Sequence, residues 1–121
     1  MSGPALKIKI QLYCGDQIAM GPGKADLLDA IASEGSISAA GRKLKMSYRR
    51  CWMLVDVMNR CWSAPLVATS SEGAVLTDLG RAVLAQYRGL QKAAASAAGR
   101  SHWPDLAREL RGEPLPEQGA Q

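Results

Sequence analysis

Phenylalanine is absent from this chain of 121 residues, and aromatic residues make up only 5% of it. A hydrophobic core must therefore be built mainly from Leu, Ile, Val, Ala and Met, with three Trp as its bulkiest members. Cysteine is also scarce. The three cysteines, Cys14, Cys51 and Cys61, form no CxxC pair and are spaced too irregularly for a disulfide framework. This usage fits a reducing compartment.

Histidine occurs once, as His102, which leaves almost no material for a hydrolytic triad or a multi-histidine metal site. The chain also lacks any uninterrupted apolar run of the roughly 18 residues that a membrane helix needs. Its N-terminal segment, MSGPALKIKIQL, has no basic start followed by a long apolar stretch, as a signal peptide would. We therefore expect a soluble, cytoplasmic protein that is not an enzyme and uses no metal, cofactor or membrane.

The composition that is present is typical of one globular domain. Hydrophobic residues make up 47% and charged residues 21%, which is enough apolar material for a folded core. Fifteen Lys and Arg against eleven Asp and Glu give a net charge of +4. A basic balance of this kind favours polyanionic partners, although it becomes informative only where the basic residues cluster.

The first part of the chain predicts a β-hairpin followed by a helix. Residues 6–12 alternate strictly between apolar and polar side chains, which indicates a strand. Residues 17–20 can return as its partner after a turn at Gly15. A helix is predicted over 24–33, with Gly35 as its C-cap. Its inner face would be formed by Leu27, Leu28, Ile31 and Ala32.

Two further helices follow at helix-turn-helix spacing. Ser36 or Ser38 can cap a short helix that ends near Lys45, because their hydroxyl oxygens can accept the free N–H groups of a helix start. Ser47 then offers a new N-cap for a helix over 48–61. The link between these helices, residues 45–47, has the length of the tight turn in a helix-turn-helix.

The second half of the chain predicts a wing and a long helix. Short β-prone runs at 66–69 and 74–77 flank a turn-forming segment, and Thr77 can cap a helix over 78–98. The fold class is thus α+β, mainly α: a winged helix-turn-helix with an N-terminal β-hairpin and a long C-terminal helix. We expect one DNA-binding domain over 1–98 and a partly helical or disordered tail over 99–121.

The clustering of basic residues points to a nucleic-acid interface. Between Gly35 and Val55 the chain has five basic residues and no acidic one. A solvated face is the ordinary interpretation of such a run. However, helical geometry places Val55 at the centre of an inner face and puts a basic, partly apolar set on the opposite side. That outer set consists of Arg49, Arg50, Met53, Val57 and Arg60. Arginine can contact base edges and apolar side chains can contact thymine methyl groups, so DNA readout is favoured over solvation.

Other residues are predicted to position the DNA backbone or to hold the fold. Tyr48 is interpreted as a packing ring whose hydroxyl reaches a phosphate, and Trp52 and Trp62 as core aromatics. Phosphate contacts are predicted for Ser36, Ser38, Lys43 and Lys45, with capping as the main role of the serines and solvation as an equal alternative for the lysines. The wing contains no Lys or Arg, which favours a bracing role.

These residues resemble a known family. The run ISAAGRKLKMSYRRCWMLVDVMN, then PLV, then AVLTDLGRAVLAQYRGL is similar to the N-terminal winged-helix domain of the ModE-type molybdate-responsive transcriptional regulators, over about residues 6–90. The resemblance implies that the helix starting at MSYRRCW enters the major groove through Ser47, Tyr48, Arg49 and Arg50. It also implies that the long helix pairs across a dimer. The thirty residues after Leu90 are too few for the family's molybdate-binding domains, so we do not expect molybdate sensing within this sequence.

Three functional hypotheses follow from the sequence. The first is a homodimeric regulator of double-stranded DNA, with a helical seam formed by Leu79, Val83, Tyr87, Leu90, Ala94 and Ala97. The alternative is a monomer in which these residues of the long helix pack on the core of their own chain. The second is a winged-helix protein-interaction module, or an adaptor for a separate sensor protein, that does not bind DNA specifically. The third is a thiol- or metal-responsive switch based on Cys51 and Cys61. These two residues lie too far apart along one helix to share a site within one chain, so buried apolar cysteines are the default interpretation.

Overall fold

The computed structural model describes residues 3–117, which fall into two compact units. The larger unit is Lys9–Leu90, and the smaller contains the described parts of Met1–Ile8 and Gln91–Gln121. The remaining tail residues, 118–121, lie outside the described residues. The predicted division of the chain at residue 98 stays a prediction.

The larger unit begins with a short β-hairpin. Strand β1, Leu12–Cys14, pairs antiparallel with β2, Gln17–Met20, and Gly15 takes a left-handed turn conformation with φ 62°. The strand predicted over 6–12 is therefore wrong except at Leu12. The partner strand ends where Pro22 starts the next helix, and the register shifts beside Leu12, so residues 6–11 have no strand to pair with.

Three helices follow the hairpin. Helix α1 is Pro22–Glu34, α2 is Ile37–Leu44 and α3 is Tyr48–Cys61. Proline starts α1, and left-handed Gly35 ends it by donating its N–H to the carbonyl of Ile31. The buried residues of α1 are Ala25, Leu27, Leu28, Ala30 and Ile31. Ala32, which was predicted for this face, is exposed, because the buried stripe of α1 extends on its opposite edge, through Ala30.

A second hairpin and a long helix complete the fold. Strands β3, Val67–Ser70, and β4, Gly73–Leu76, are antiparallel and in continuous register from Val67 opposite Leu76. Helix α4 is Asp78–Arg100, and α5, Trp103–Glu109, lies in the smaller unit. Thr77 caps α4 as predicted, since its hydroxyl oxygen accepts the Gly80 N–H at 2.9 Å. The architecture is the predicted α+β winged helix-turn-helix.

Three polar side-chain groups in the larger unit bond across elements. The Tyr87 ring of α4 is buried, and its hydroxyl donates to the carbonyl of Ile10 at 2.7 Å. The Trp62 indole N–H, at the end of α3, donates to the carbonyl of Ala19 in β2 at 3.1 Å. Arg88 of α4 contacts the carboxylates of Asp26 and Asp29 of α1. These bonds fix α3 and α4 against the N-terminal half of the unit.

Asn59 connects α3 to the wing through three hydrogen bonds. Its amide oxygen accepts the N–H groups of Leu66 and Val67 at 2.9 and 3.0 Å, and its amide nitrogen donates to the carbonyl of Val67. Replacing Asn59 by alanine would leave these backbone groups without partners. We expect a loss of about 2 kcal/mol of unfolding free energy, measured by urea denaturation. Arg60→Ala, which removes only an exposed ion pair, is the control; equal losses would contradict the assignment.

Candidate nucleic-acid interface

Polar residues within the helix-turn-helix determine where its two helices begin. Ser36 caps α2 by accepting the Ala39 N–H at 3.0 Å, so it is Ser36 and not Ser38 that caps. Lys45 ends α2 in a left-handed conformation with φ 58°. Ser47 caps α3 by accepting the Arg50 N–H at 3.1 Å. The predicted link of three residues is confirmed, and it fixes where the first turn of α3 starts.

Gly41 allows α2 and α3 to cross closely. A Cβ atom at this position would lie 3.0 Å from the Cys51 sulfur and 3.1 Å from the carbonyl oxygen of Met46. The backbone N–H of Met46 in turn donates to the carbonyl of Gly41 at 2.9 Å. Glycine is unfavourable inside a helix by about 1 kcal/mol relative to alanine. Here the absence of a side chain is required by the turn and by Cys51.

The two faces of α3 are divided as the helical pattern predicts. The buried residues are Cys51, Val55 and Met58. On the opposite side Arg49 and Arg50 are exposed, and Met53 is 58% exposed. Val57, also predicted for the outer face, is half-buried. The first two turns of α3 therefore present two guanidinium groups and a thioether on one accessible surface.

Two aromatic residues lie at the edge of that surface. Trp52 is 37% exposed and Tyr48 56% exposed, and their rings meet edge to face with centroids 6.1 Å apart. The prediction that Trp52 belongs to the core is wrong. Its angular position borders the buried face, but one side of its ring faces the open space between α2, α3 and the wing and stays uncovered. Trp62, by contrast, packs against the core as predicted.

A small cleft lined in part by hydroxyl groups lies between α2, α3 and the wing. Its volume is about 160 Å³, and Tyr48 and Trp52 form one wall. Its hydroxyl groups come from Ser36, Ser38, Thr69 and Ser70. The sequence prediction included the two serines of α2 and missed the two wing residues. The wing carries no Lys or Arg, and the sequence feature that marks these two residues is the hydroxyl-rich run from Thr69 to Ser71.

The remaining predicted basic residues differ in their surroundings. Lys45 is exposed. Lys43 forms an ion pair of 3.5 Å with Glu34, and Arg60 one of 2.9 Å with Asp56. Both pairs are exposed, and such pairs stabilise a fold by only about 0–1 kcal/mol. Either basic side chain can therefore exchange its carboxylate for another anion at little cost.

Lys24 of α1 is a further cation that interacts electrostatically with α3. It is half-buried on α1, and burial lowers the pKa of its ammonium group. The positive charge of Arg50 lowers that pKa further, whereas the nearby Cys61 thiol raises it. A cation that repels Arg50 in this way adds to the positive potential on this side of the unit.

The wing braces the turn between α1 and α2. The Ala74 N–H donates to the carbonyl of Gly35 at 2.9 Å. Gly73 has φ 134°, and a Cβ atom there would overlap the carbonyl oxygen of Gly35. Glu72 is the only charged residue at the tip. The wing thus supports the helix-turn-helix from one side and adds no positive charge to the surface.

An apolar groove of about 400 Å³ runs along the first half of α4. Its lining residues are Leu12, Trp62, Leu79, Ala82, Val83, Gln86, Tyr87 and Leu90. Val83 and Tyr87 were predicted as interface residues, but they are only 9% and 2% exposed. They belong to the core of the chain and line the groove from inside, and the Tyr87 hydroxyl is bonded to the carbonyl of Ile10. Leu90 is 45% exposed at its rim.

The capped helix pair, the exposed basic start of its second helix and the bracing wing define a winged helix-turn-helix domain. Residues 24–81 match the model of the bacterial regulatory helix-turn-helix protein, lysR family. This segment, somewhat less than half of the chain, is therefore similar to the helix-turn-helix domain of that family.

The sequence relatives carry names connected with molybdenum. The molybdenum transport protein ModE of Azotobacter vinelandii is 40% identical over 70 residues, which cover 54% of this chain and 26% of that protein. The molybdenum-pterin-binding protein MopB of Rhodobacter capsulatus is 39% identical over 77 residues, covering 60% and 28%. The resemblance to ModE-type regulators is confirmed over this part of the chain. The chain spans little more than a quarter of the length of these two proteins.

Solved structures show the same fold. The DNA-binding domain in the CbnR_DBD–DNA complex has a TM-score of 0.57 at 23% identity, and the match covers 69% of this chain and 95% of that one. CbnR, a LysR family transcriptional regulator, has a TM-score of 0.53 at 24% identity, with 66% and 28% covered. The predicted fold class is confirmed.

Within residues 3–117, no group of three or more His, Cys, Asp or Glu side chains is placed to hold a metal ion. None of the helices in that range combines the length and the hydropathy of a membrane span.

Proposed function

We propose that this protein is a sequence-specific transcriptional regulator that acts as a homodimer on an inverted-repeat operator, with α3 in the major groove. The exposed start of α3 carries the proposal. Arg49 and Arg50 lie in the first turn, the part of a recognition helix that reaches base edges. Arginine can donate two parallel hydrogen bonds to guanine, and Met53 offers an apolar contact for a thymine methyl group. We also infer that the protein acts by binding and not by catalysis, in the cytoplasm.

Phosphate contacts are proposed for the residues around this surface. They are Ser36, Ser38, Lys43, Lys45, Ser47, Tyr48 and Arg60. Ser36 and Ser47 use their oxygen atoms to accept capping bonds, and this leaves each hydroxyl proton available for donation to a phosphate. The exposed Tyr48 hydroxyl has the same capacity. The lysines would act as point charges that strengthen binding without reading sequence.

The groove on α4 supports the proposal of a homodimer. Leu79 and Leu90 lie at its edges, and its lining is almost entirely apolar. A second copy that presents the same groove would remove both surfaces from water, as a two-fold interface requires. Ala94 and Ala97, farther along α4, stay predicted members of this seam because small side chains permit close approach of helices.

A protein-interaction role is the second candidate. It is favoured by exposed leucines of the smaller unit, namely Leu106, Leu110 and Leu115, which are 63%, 50% and 57% exposed. Apolar side chains that stay in water offer contacts to another protein, such as a separate sensor. In this alternative the helix-turn-helix domain would position a partner without selecting a DNA sequence.

Selection from a randomised pool of double-stranded DNA separates the two candidates. At about 0.15 M salt, we expect enrichment of a two-fold symmetric sequence with half-site centres about 10 base pairs apart, or a multiple of that distance. The affinity of the selected sequence should fall steeply and linearly on a logarithmic plot against salt concentration, because bound phosphates release counterions.

The outcome also tests the dimer. An enriched sequence without two-fold symmetry would contradict the homodimer and leave the recognition helix supported. A pool that shows no enrichment after repeated rounds would contradict DNA readout and favour the protein-interaction role. A fragment of shuffled sequence and equal length, bound at the same salt, measures the non-specific background.

A further inference from the structure

One acidic side chain lies on the face of α3 that is proposed to read DNA. Asp56 lies in the second half of the helix, and its side chain is 62% exposed. It is the only acidic residue between Glu34 and Glu72 in the sequence. A carboxylate on such a surface is repelled by DNA phosphates, so it weakens non-specific binding. The presence of this charge on a surface for DNA therefore indicates a role in selecting bases.

Helical spacing aligns Asp56 with two residues already assigned to base readout. A recognition helix that lies along the major groove can read bases through positions that follow the first one by three, four and seven residues. Counted from Arg49, these positions are Trp52, Met53 and Asp56. Trp52 lines the cleft beside the wing, whereas the other side chains are exposed on the outer face. At about 1.5 Å per residue, Arg49 and Asp56 are about 10 Å apart along α3, which corresponds to about three base pairs.

The ion pair with Arg60 orients Asp56 and leaves it able to accept further hydrogen bonds. The Arg60 Nε donates to Oδ2 of Asp56 at 2.9 Å, from one turn further along α3. A carboxylate has about four acceptor sites, and this bond occupies one of them. The bond restricts rotation of the Asp56 side chain, so its other oxygen is held on the outer face of the helix. Because both partners are exposed, the pair contributes little to the stability of the fold.

We propose that Asp56 is a specificity-determining residue that accepts a hydrogen bond from the N4 amino group of a cytosine in the major groove. The inference rests on the proposed role of α3 as the recognition helix. Guanine and thymine present acceptors at this edge, and adenine places the acceptor N7 beside its amino group. A carboxylate opposite an acceptor is repelled and loses its contact with water. Asp56 therefore excludes the wrong bases as well as binding the right one.

A change of base preference tests this role directly. Full-length wild-type protein and the Asp56→Asn variant are each used to select from a randomised pool of double-stranded DNA at about 0.15 M salt. The two side chains have nearly the same shape, but an amide offers a donor beside an acceptor, the pattern that pairs with N7 and N6 of adenine. We expect one position of each half-site to change from cytosine to adenine, with the rest of the selected sequence unchanged.

Binding to operators with a single base change measures the size of the effect. For the wild-type chain, replacing this cytosine by thymine should weaken binding by about 5-fold or more in fluorescence anisotropy. For Asp56→Ala the same replacement should cost less than about 2-fold, and binding to a shuffled duplex should strengthen because a repelled charge is removed. Asp105→Ala is the matched control and should change neither value. Asp105 is also exposed, and it pairs with Arg108 of its own helix at 2.7 Å.

Arg60→Ala separates direct readout from an effect that passes through the ion pair. If Asp56 contacts the base itself, this variant should keep the preference for cytosine and bind operator and shuffled duplexes more weakly to the same extent, because a phosphate contact is lost. If Arg60→Ala removed the preference for cytosine as Asp56→Ala does, Asp56 would act only by orienting Arg60, and the proposal would be overturned. Circular dichroism and urea denaturation check that each variant is folded.

The controls also separate this inference from the proposed function. Selection of the same sequence by the wild-type chain, Asp56→Asn and Asp56→Ala would overturn the role of Asp56 and leave the regulator function supported. A wild-type pool that enriches no sequence would overturn the regulator function, and this inference with it.

Discussion

Replacing Arg49 and Arg50 together by alanine is expected to weaken binding to the selected operator by about 30-fold or more, with the fold unchanged. Each bidentate contact from arginine to guanine is worth about 1–3 kcal/mol of discrimination, so two of them amount to at least about 2 kcal/mol. Both side chains are exposed and outside the core. Fluorescence anisotropy with operator and shuffled duplexes measures the loss, and circular dichroism and urea denaturation check the fold.

Two matched double variants separate base readout from simple charge. Lys7→Ala with Lys9→Ala removes the same two charges from another exposed part of the sequence and should change operator affinity only slightly. Arg49→Lys with Arg50→Lys keeps the charges but loses the planar donor fork. It should retain binding to shuffled DNA and lose most of the preference for the operator. If the lysine variant kept the full preference, the two arginines would act only on phosphates and the assignment of readout to them would fail.

Local signals in the sequence were sufficient for most of the helix-turn-helix. The cap residues Ser36, Ser47 and Thr77 act through hydrogen bonds to residues three positions away, so short segments already contain the information for helix starts. The left-handed C-cap at Gly35 is similarly local. Because the position of α3 on its turn depends on these caps, the orientation of Arg49 and Arg50 was also predictable.

Features that depend on distant residues were not predictable in this way. Alternation over residues 6–12 indicated a strand, but pairing requires a partner, and β2 ends at Met20. The uncovered side of Trp52 depends on how much of the ring its neighbours reach, which angular position alone does not give. Each of these is settled by tertiary packing and not by local propensity.

The groove on α4 also depends on tertiary packing, which the spacing of residues along one helix does not reveal. Helical spacing placed Leu79, Val83, Tyr87 and Leu90 on one stripe of α4, and in the structure all four residues line one groove. It could not distinguish a stripe that faces a second chain from one that faces the core. The hydroxyl of Tyr87 is bonded to the carbonyl of Ile10, so the residues at the centre of the stripe are buried in the core. The residues at its edges stay accessible. The proposed dimer therefore depends on the edges, Leu79 and Leu90.

The glycine in the LTDLG segment is expected to be among the most sensitive positions for stability. A Cβ atom on Gly80 would overlap the carbonyl oxygen of Leu66 and lie 3.0 Å from its carbonyl carbon. That carbonyl cannot turn away freely, because it accepts the Thr77 N–H at 2.9 Å, and the Leu66 N–H is held by Asn59. Any shift would therefore break the bond that holds Thr77, the cap residue of α4, or the connection between α3 and the wing.

We expect Gly80→Ala to lower the free energy of unfolding by about 3–4 kcal/mol, measured by urea denaturation, because rigid backbone and not a flexible side chain opposes the added methyl group. Gly89→Ala is the matched control on the same helix, since a Cβ atom there meets nothing within 4 Å. Alanine is the better helix former, so this control should raise stability by about 0.5–1 kcal/mol. The opposite signs of two identical substitutions would separate steric contact from helix propensity. Equal effects at both positions would show that Leu66 can move, and that the close approach of α4 to the start of the wing is not required.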